Sequence, residues 1–289
     1  MKSLWMLSAS FFFSLMAVFV KLGAEDFGSF ELIFYRSLAG VLLLYSFIRA
    51  RGYTIRTPHL FGHFKRSFIG TVSMSLWFIS LTMLPIGTSM TLNYTSPLFM
   101  ASFMVVFMLM RREALPWALL GCIALGFSGV VLVLQPSFSS GEMLGALLAL
   151  SSGFLGSIAY WQIKELGALK EPSWRIVFYF TVFGTFYGLG GCYLLEGGLS
   201  PIHADNVIYL IGMALCATLA QCSLTMAFGQ GNVLLSSCLQ FSAIVMAELM
   251  GVIFFNDQLT LTTELGIGVI MVAGIAATML TRKQNASKR

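Results

Sequence analysis

Apolar runs long enough to cross a bilayer follow one another along most of this chain, separated by short polar or glycine-rich links. About 20 apolar residues span the hydrocarbon as a helix. The pattern predicts ten such segments, near residues 3–24, 30–48, 67–84, 88–110, 116–134, 143–164, 174–195, 207–228, 233–255 and 262–281. Pro85-Ile86-Gly87 joins the third to the fourth, and Gly229-Gln230-Gly231-Asn232 the eighth to the ninth. Links this short predict tight antiparallel hairpins with no soluble domain between them. Only 49–66 reads as a longer polar loop.

The pattern is also written twice. Ser80-Leu81-Thr82-Met83 recurs as Ser223-Leu224-Thr225-Met226, and Arg112-Glu113-Ala114-Leu115 recurs loosely as Asn256-Asp257-Gln258-Leu259. Gly121 and Gly129 recur as Gly266 and Gly274, while Ser8, Ser14 and Lys21 match Ser151, Ser157 and Lys164. Each copy holds five segments, so the second must enter the membrane from the opposite side. The expected architecture is an all-α membrane protein of ten transmembrane helices, built as two inverted five-helix repeats over 1–136 and 137–289. Such repeats place a substrate site between the halves near the midplane.

Charge supports this topology. Lys2, Arg49, Arg51, Arg56, Lys65, Arg66, Arg111, Arg112, Lys164, Lys170, Arg175, Arg282, Lys283, Lys288 and Arg289 fall on one side of the predicted spans. The other side holds Glu25, Asp26, Glu142, Glu196, Asp205 and Asp257, with only Lys21 as a cation. Cytoplasmic loops are the basic ones, so both termini are expected in the cytoplasm. The net charge of +5 is then a topology signal, and no nucleic-acid partner is expected. The first segment could pass for a signal peptide, but its repetition from Met143 predicts that it is retained.

Composition excludes a soluble domain. Hydrophobic residues make up 57% and charged residues 10%, against about 25% charged in soluble proteins. Cys122, Cys192, Cys216, Cys222 and Cys238 all lie in apolar stretches without Cys-x-x-Cys spacing, which predicts packing residues. His59 and His63 have helical metal-ligand spacing but stand in a basic loop without acidic or thiol neighbours, so no metal and no cofactor are expected.

Ionisable groups inside spans are expensive and mark sites. Arg36 lies about one and a half turns into the second span, and Phe180 occupies its repeat position. Arg36 therefore reads as half of a structural ion pair, with Glu248 or Glu31, or as a substrate or gating contact. Glu248, the acid deep in a span, is a candidate for proton coupling or for a fixed partner of Arg36. Lys21 and Lys164 close their helices and read as snorkelling residues or as a pair of gate or substrate-anion contacts, one at each mouth. Asn93-Tyr94-Thr95-Ser96-Pro97 interrupts the fourth span with a proline, and polar residues from Ser236 to Gln240 stand opposite in the repeat. Broken helices are tolerated in lipid only where protein or water covers the freed backbone. Trp77, Asn93, Tyr94, Ser96, Pro97, Tyr160, Trp161, Gln221 and Gln240 are the expected pocket residues. Small residues, Gly184 with Gly188 and the four repeated glycines, read as helix contacts, between the halves or in a homodimer.

Phe34-Tyr35-Arg36, the run Tyr94-Thr95-Ser96-Pro97-Leu98-Phe99, Arg111-Arg112-Glu113, and Gly121, Gly129 and Gln135-Pro136 together resemble the ten-helix drug/metabolite transporter superfamily, specifically its EamA-type carriers. In the second copy Gln240 stands where Pro97 stands in the first, and Asp257 replaces the usual Glu. The resemblance implies a bacterial inner-membrane exporter or importer of a small solute such as an amino acid, nucleoside or vitamin. It also implies a central pocket walled mainly by the first, third, fourth, sixth, eighth and ninth spans, worked by alternating access. The rival expectations are an intramembrane enzyme, which would need a nucleophile–base pair in the bilayer, and a non-transporting sensor or scaffold, which would lack a cavity.

Overall fold

A computed structural model describes residues 2–112, 117–140, 142–231, 233–257 and 261–287. After a turn at Lys2–Leu4 come α1 (Trp5–Gly23), α2 (Ser29–Ala50), α3 (Leu60–Met83), α4 (Ile86–Asn93), α5 (Ser96–Met110) and α6 (Trp117–Ser140). Then follow α7 (Met143–Ala168), α8 (Ser173–Leu195), α9 (Val207–Gln230), α10 (Val233–Gln240), α11 (Ser242–Phe255) and α12 (Leu261–Ser287). Among the described residues the regular structure is entirely helical, with no strand. Glu113, Ala114, Leu115, Gln258, Leu259, Lys288 and Arg289 lie outside the described residues, as do the side chains of Gln135, Pro136, Cys238, Arg282 and Lys283.

Seven segments are long and apolar enough to cross a membrane: Lys2–Gly23, Ser29–Ala50, Ile86–Met110, Met143–Ala168, Ser173–Leu195, Val207–Gln230 and Leu235–Phe255. Shorter apolar stretches, Leu120–Val133 and Glu264–Ala276, lie in α6 and α12. The chain is a multi-pass membrane protein. Its polarity is arranged accordingly: Ser14, Ser37, Thr71, Ser89 and Thr225 are buried, whereas Phe186, Leu194, Trp117 and Met110 face outward.

The third span begins earlier than its hydropathy suggests. α3 starts at Leu60, so His63 and Arg66 lie on a helix and not in the predicted loop, and both are buried. His59, His63, Lys65 and Arg66 hid the first two turns, because a hydropathy window sees only composition and not the face a residue occupies.

The interrupted fourth span divides into α4 and α5 at Tyr94 and Thr95. Pro97 lies at the start of α5, where a missing N–H costs no helical bond. The freed carbonyls are satisfied locally. Thr95 Oγ1 donates to Leu92 O (2.7 Å), and Ser96 Oγ donates to the carbonyls of Asn93 and Gly153 (both 3.0 Å). This break lies directly on α7 at Gly153. A Cβ there would stand 2.7–2.8 Å from Asn93 O, Leu92 O and Thr95 Oγ1, so glycine is what permits the contact. The ninth segment divides in the same way, at Phe241 between α10 and α11.

Packing has a simple pattern. α1 lies on α9 and α3 on α7, α2 pairs with α8, and α6 pairs with α12. α4–α5 borders α7, and α10–α11 borders α1. Exchanging the first six helices for the last six, in order, returns the same set of pairs. Small residues make the closest approaches, as expected where lipid supplies no drive for helix association. Gly188 receives the backbone of Phe34, Gly184 receives Ser37, and Gly129 and Gly266 face each other's backbone. Gly121 makes no such approach within the chain, since a Cβ there would meet nothing within 4 Å.

Candidate substrate cavity

A cavity of about 60 Å³ opens at the middle of the bundle. Its wall is built from Phe13 of α1, Arg36 of α2, Arg66, Gly70, Ser73, Met74 and Trp77 of α3, Asn93 and Tyr94 at the helix break, Ser152, Gly156, Ala159 and Tyr160 of α7, Phe180 of α8, and Gln221 and Leu224 of α9. On α3 the spacing of 66, 70, 73 and 77 is one helical face.

Five expected pocket residues meet here: Trp77, Asn93, Tyr94, Tyr160 and Gln221. Asn93 Nδ2 donates to Ser152 Oγ (2.5 Å), and Ser73 Oγ donates to Ser152 O (2.9 Å), fixing α4 and α3 to α7. Tyr160 is stacked on Phe228 with centroids 4.8 Å apart, and Trp77 meets Phe13 edge-on. The others go elsewhere. Ser96 and Pro97 support the break beside the cavity without lining it. Gln240 is buried on α10 but is not part of the wall, so the ninth span contributes less than expected and the second and seventh more. Trp161 is 49% exposed and donates Nε1 to Glu165 (2.9 Å), because one residue after Tyr160 a helix has turned about 100° away.

The charged candidates separate in the same manner. Arg36 lines the cavity at 3% exposure. It makes no ion pair with Glu248 or Glu31. Glu31 instead accepts from the backbone N and Oγ of Ser200 (2.8 and 2.7 Å). Glu248 lies over Gly87, and its Oε1 is buried without a hydrogen bond. Lys21 stands in the last turn of α1, 3.8 Å from Asp257 and donating to Leu84 O (3.2 Å), while Asp257 accepts from Ile86 N (3.1 Å). That cluster joins the end of α1, the α3–α4 link and the end of α11. Its repeat mate Lys164 is exposed, with Nζ 4.3 Å from the centroid of the Trp161 ring.

The cavity residue that the sequence concealed is Arg66. Counted as a loop cation, it lies 3% exposed on the cavity wall. Its guanidinium folds over Gly70, where a Cβ would stand 1.9 Å from Nη1. Arg66 and Arg36 both lie against the Phe180 ring, at 4.5 and 5.7 Å from its centroid. Arg36 also contacts Met74 Sδ. The Nε of each arginine and Nη1 of Arg66 have no hydrogen-bond acceptor, nor do Trp77 Nε1 and Gln221 Nε2. A cation–π contact returns about 0.5–2 kcal/mol, whereas burying an ion costs several kcal/mol even after relaxation. The aromatic floor therefore does not offset the burial of two cations. Only the helical register of Arg66, Gly70, Ser73 and Trp77 could have exposed it in the sequence.

At the side where α7 meets α8, Glu171 anchors the 51–59 loop. It receives Thr57 Oγ1 and Arg175 Nη1, and His63 Nε2 stands 3.5 Å away. Burial pushes the Glu171 carboxyl up, but the hydrogen bonds from Thr57 and Arg175 outweigh it and hold the group below its ordinary value. Thus His63, expected beside no acid, has one from a different part of the chain.

Residues 1–135 match the family model described as the EamA-like transporter family. An uncharacterized transporter of Helicobacter pylori is 24% identical over 276 residues, covering 93% of this chain and 91% of that protein. The pseudopaline exporter of Pseudomonas aeruginosa is 24% identical over 275 residues, covering 95% and 94%. The riboflavin transporter of Rhizobium johnstonii is 26% identical over 276 residues, covering 94% and 89%. One crystal structure superposes with a TM-score of 0.71 at 18% identity, covering 96% of this chain and 98% of that one, which shows a shared fold.

Proposed function

Because the chain belongs to the drug/metabolite transporter superfamily, we propose that it is a secondary carrier of a small metabolite, working by alternating access. The observation that carries this reading is the polar, cationic cavity at the junction of the two sets of helices. A carrier site at a repeat interface has this placement. The cavity is far below the ~300 Å³ or more of an ordinary ligand pocket, so cargo enters only when the helices around it part. The exchange symmetry of the packing supports two inverted five-helix halves, about 1–136 and 137–289, rocking around the site. The Lys21–Asp257 cluster is the closure at one mouth. The charge bias of the links supports cytoplasmic termini in a bacterial inner membrane.

Glu248 supplies the coupling in this proposal. A buried carboxylate oxygen without a partner, beside the mouth cluster and not beside Arg36, is suited to exchanging a proton as the mouth opens. The test is flux into proteoliposomes across a metabolite panel, with and without a pH gradient. Glu248→Gln should transport without responding to the gradient. Flux indifferent to the gradient in the unaltered protein would remove the coupling role and leave the carrier.

A further inference from the structure

We infer that the cavity holds its cargo by an oxyanion, a carboxylate or phosphate seated against Arg36 and Arg66. Binding of that group follows from the cavity itself; its translocation rests on the carrier reading above.

The unsatisfied polar atoms of the wall are donors. Arg36 Nε, Arg66 Nε and Nη1, Trp77 Nε1 and Gln221 Nε2 all lack an acceptor. A group that accepts from many directions and carries negative charge is the complement of that set, and guanidinium pairs suit carboxylate and phosphate geometry. Among the described residues no Asp or Glu is part of the wall. The acids of the neighbouring helices are engaged elsewhere: Glu31 with Ser200, Asp257 with Lys21 and Ile86, and Glu248 over Gly87 on a helix that contributes nothing to the wall. The protein thus brings two cations to one ring, Phe180, and supplies no counterion among the described residues. Gly70 leaves the room that the Arg66 guanidinium occupies. Around the cations, Phe13, Trp77 and Tyr160 offer apolar and aromatic surface. The cargo class is therefore a small organic anion whose charged group meets the arginines and whose carbon skeleton meets the rings.

Thermal unfolding of the detergent-purified full chain tests this. The probes are sodium acetate, succinate, benzoate and inorganic phosphate, with sodium chloride at equal ionic strength as baseline and succinamide and benzamide as neutral counterparts. At least one anion should raise Tm by several degrees in a saturable manner. The shift should vanish in Arg36→Gln and in Arg66→Gln and persist in Lys65→Gln, the exposed neighbouring cation. Response to the carboxylates alone, or to phosphate alone, assigns the oxyanion. The inference is overturned if no anion exceeds chloride, if the amides stabilise equally, or if the shift survives in both arginine variants. Counterflow of the stabilising anion in proteoliposomes separates the two claims. Saturable binding without counterflow removes the carrier and keeps the site, whereas flux of a neutral solute without anion binding removes the site and keeps the carrier.

Discussion

Two arginines, one ring and one missing side chain shape the charged part of the cavity wall. Removing a charge that lacks a counterion relieves a burial cost, so Arg66→Met should unfold at the same or a higher temperature than the unaltered chain when no cargo is present. A lower Tm would mean that Arg66 has a stabilising partner. Transport should respond in the opposite direction. Losing one member of a buried charged contact costs about 2–5 kcal/mol, so apparent affinity for cargo should fall at least ~30-fold in Arg66→Gln. Gly70→Ala should act through its neighbour: the new methyl displaces Nη1, which belongs to a flexible side chain, so transport falls while Tm hardly moves. Trp161→Ala, on the outward face of α7, should transport normally in the same flux assay.

The residues also show where the sequence was legible. Arg36 stood out because it lay inside an apolar run, and Trp77, Asn93, Tyr94, Tyr160 and Gln221 stood out as polar or amphipathic groups at mid-span; all line the cavity. Arg66 did not, because it follows Lys65 at the edge of a polar stretch, where a loop and an amphipathic helix end have the same composition. Trp161 was over-read for the converse reason: hydropathy reports depth along a helix and not direction around it.

At the scale of elements, the break between α4 and α5 is the device that brings Asn93 and Tyr94 to the cavity. It depends on Gly153 more than on Pro97. Gly153→Ala would press a methyl onto two carbonyls and a hydroxyl, and overpacking of this kind costs about 1–3 kcal/mol. Its thermal midpoint should drop by several degrees, whereas Pro97→Ala should change it less. Glu171 governs a second element, the 51–59 loop. Its carboxyl titrates below the ordinary value when folded. The stability it contributes is therefore present above the unfolded carboxylate pKa and is lost as pH falls through the lower folded value. Glu171→Gln should flatten the acid limb of the stability profile and leave neutral-pH cavity binding intact. An unchanged acid limb would contradict that role.

For the whole molecule, the interrupted spans and the Gly129–Gly266 approach fall at positions that recur along the sequence, and the helix pairs exchange between its first and second parts. The interruption at Pro97 and the repeated glycines were visible in the sequence as a break in an apolar run and as small residues at matching positions; which helices pair was not. The asymmetries were not visible: Lys21 finds Asp257 while Lys164 faces outward, and Arg36 meets Phe180, the residue at its own repeat position. Partner choice depends on three-dimensional neighbours, which a linear pattern does not record. Lys21→Ala should loosen one mouth and speed labelling of a cysteine placed at Ser73 by an impermeant thiol reagent added from that side.

Counterflow in proteoliposomes is the decisive measurement for a carrier built around this cavity. Vesicles preloaded with a small organic anion and diluted into a trace of the labelled compound should accumulate label transiently above equilibrium, and Arg66→Gln vesicles should not. Uptake that ignores preloading, or that matches protein-free vesicles for every compound tried, would contradict a carrier built around this cavity.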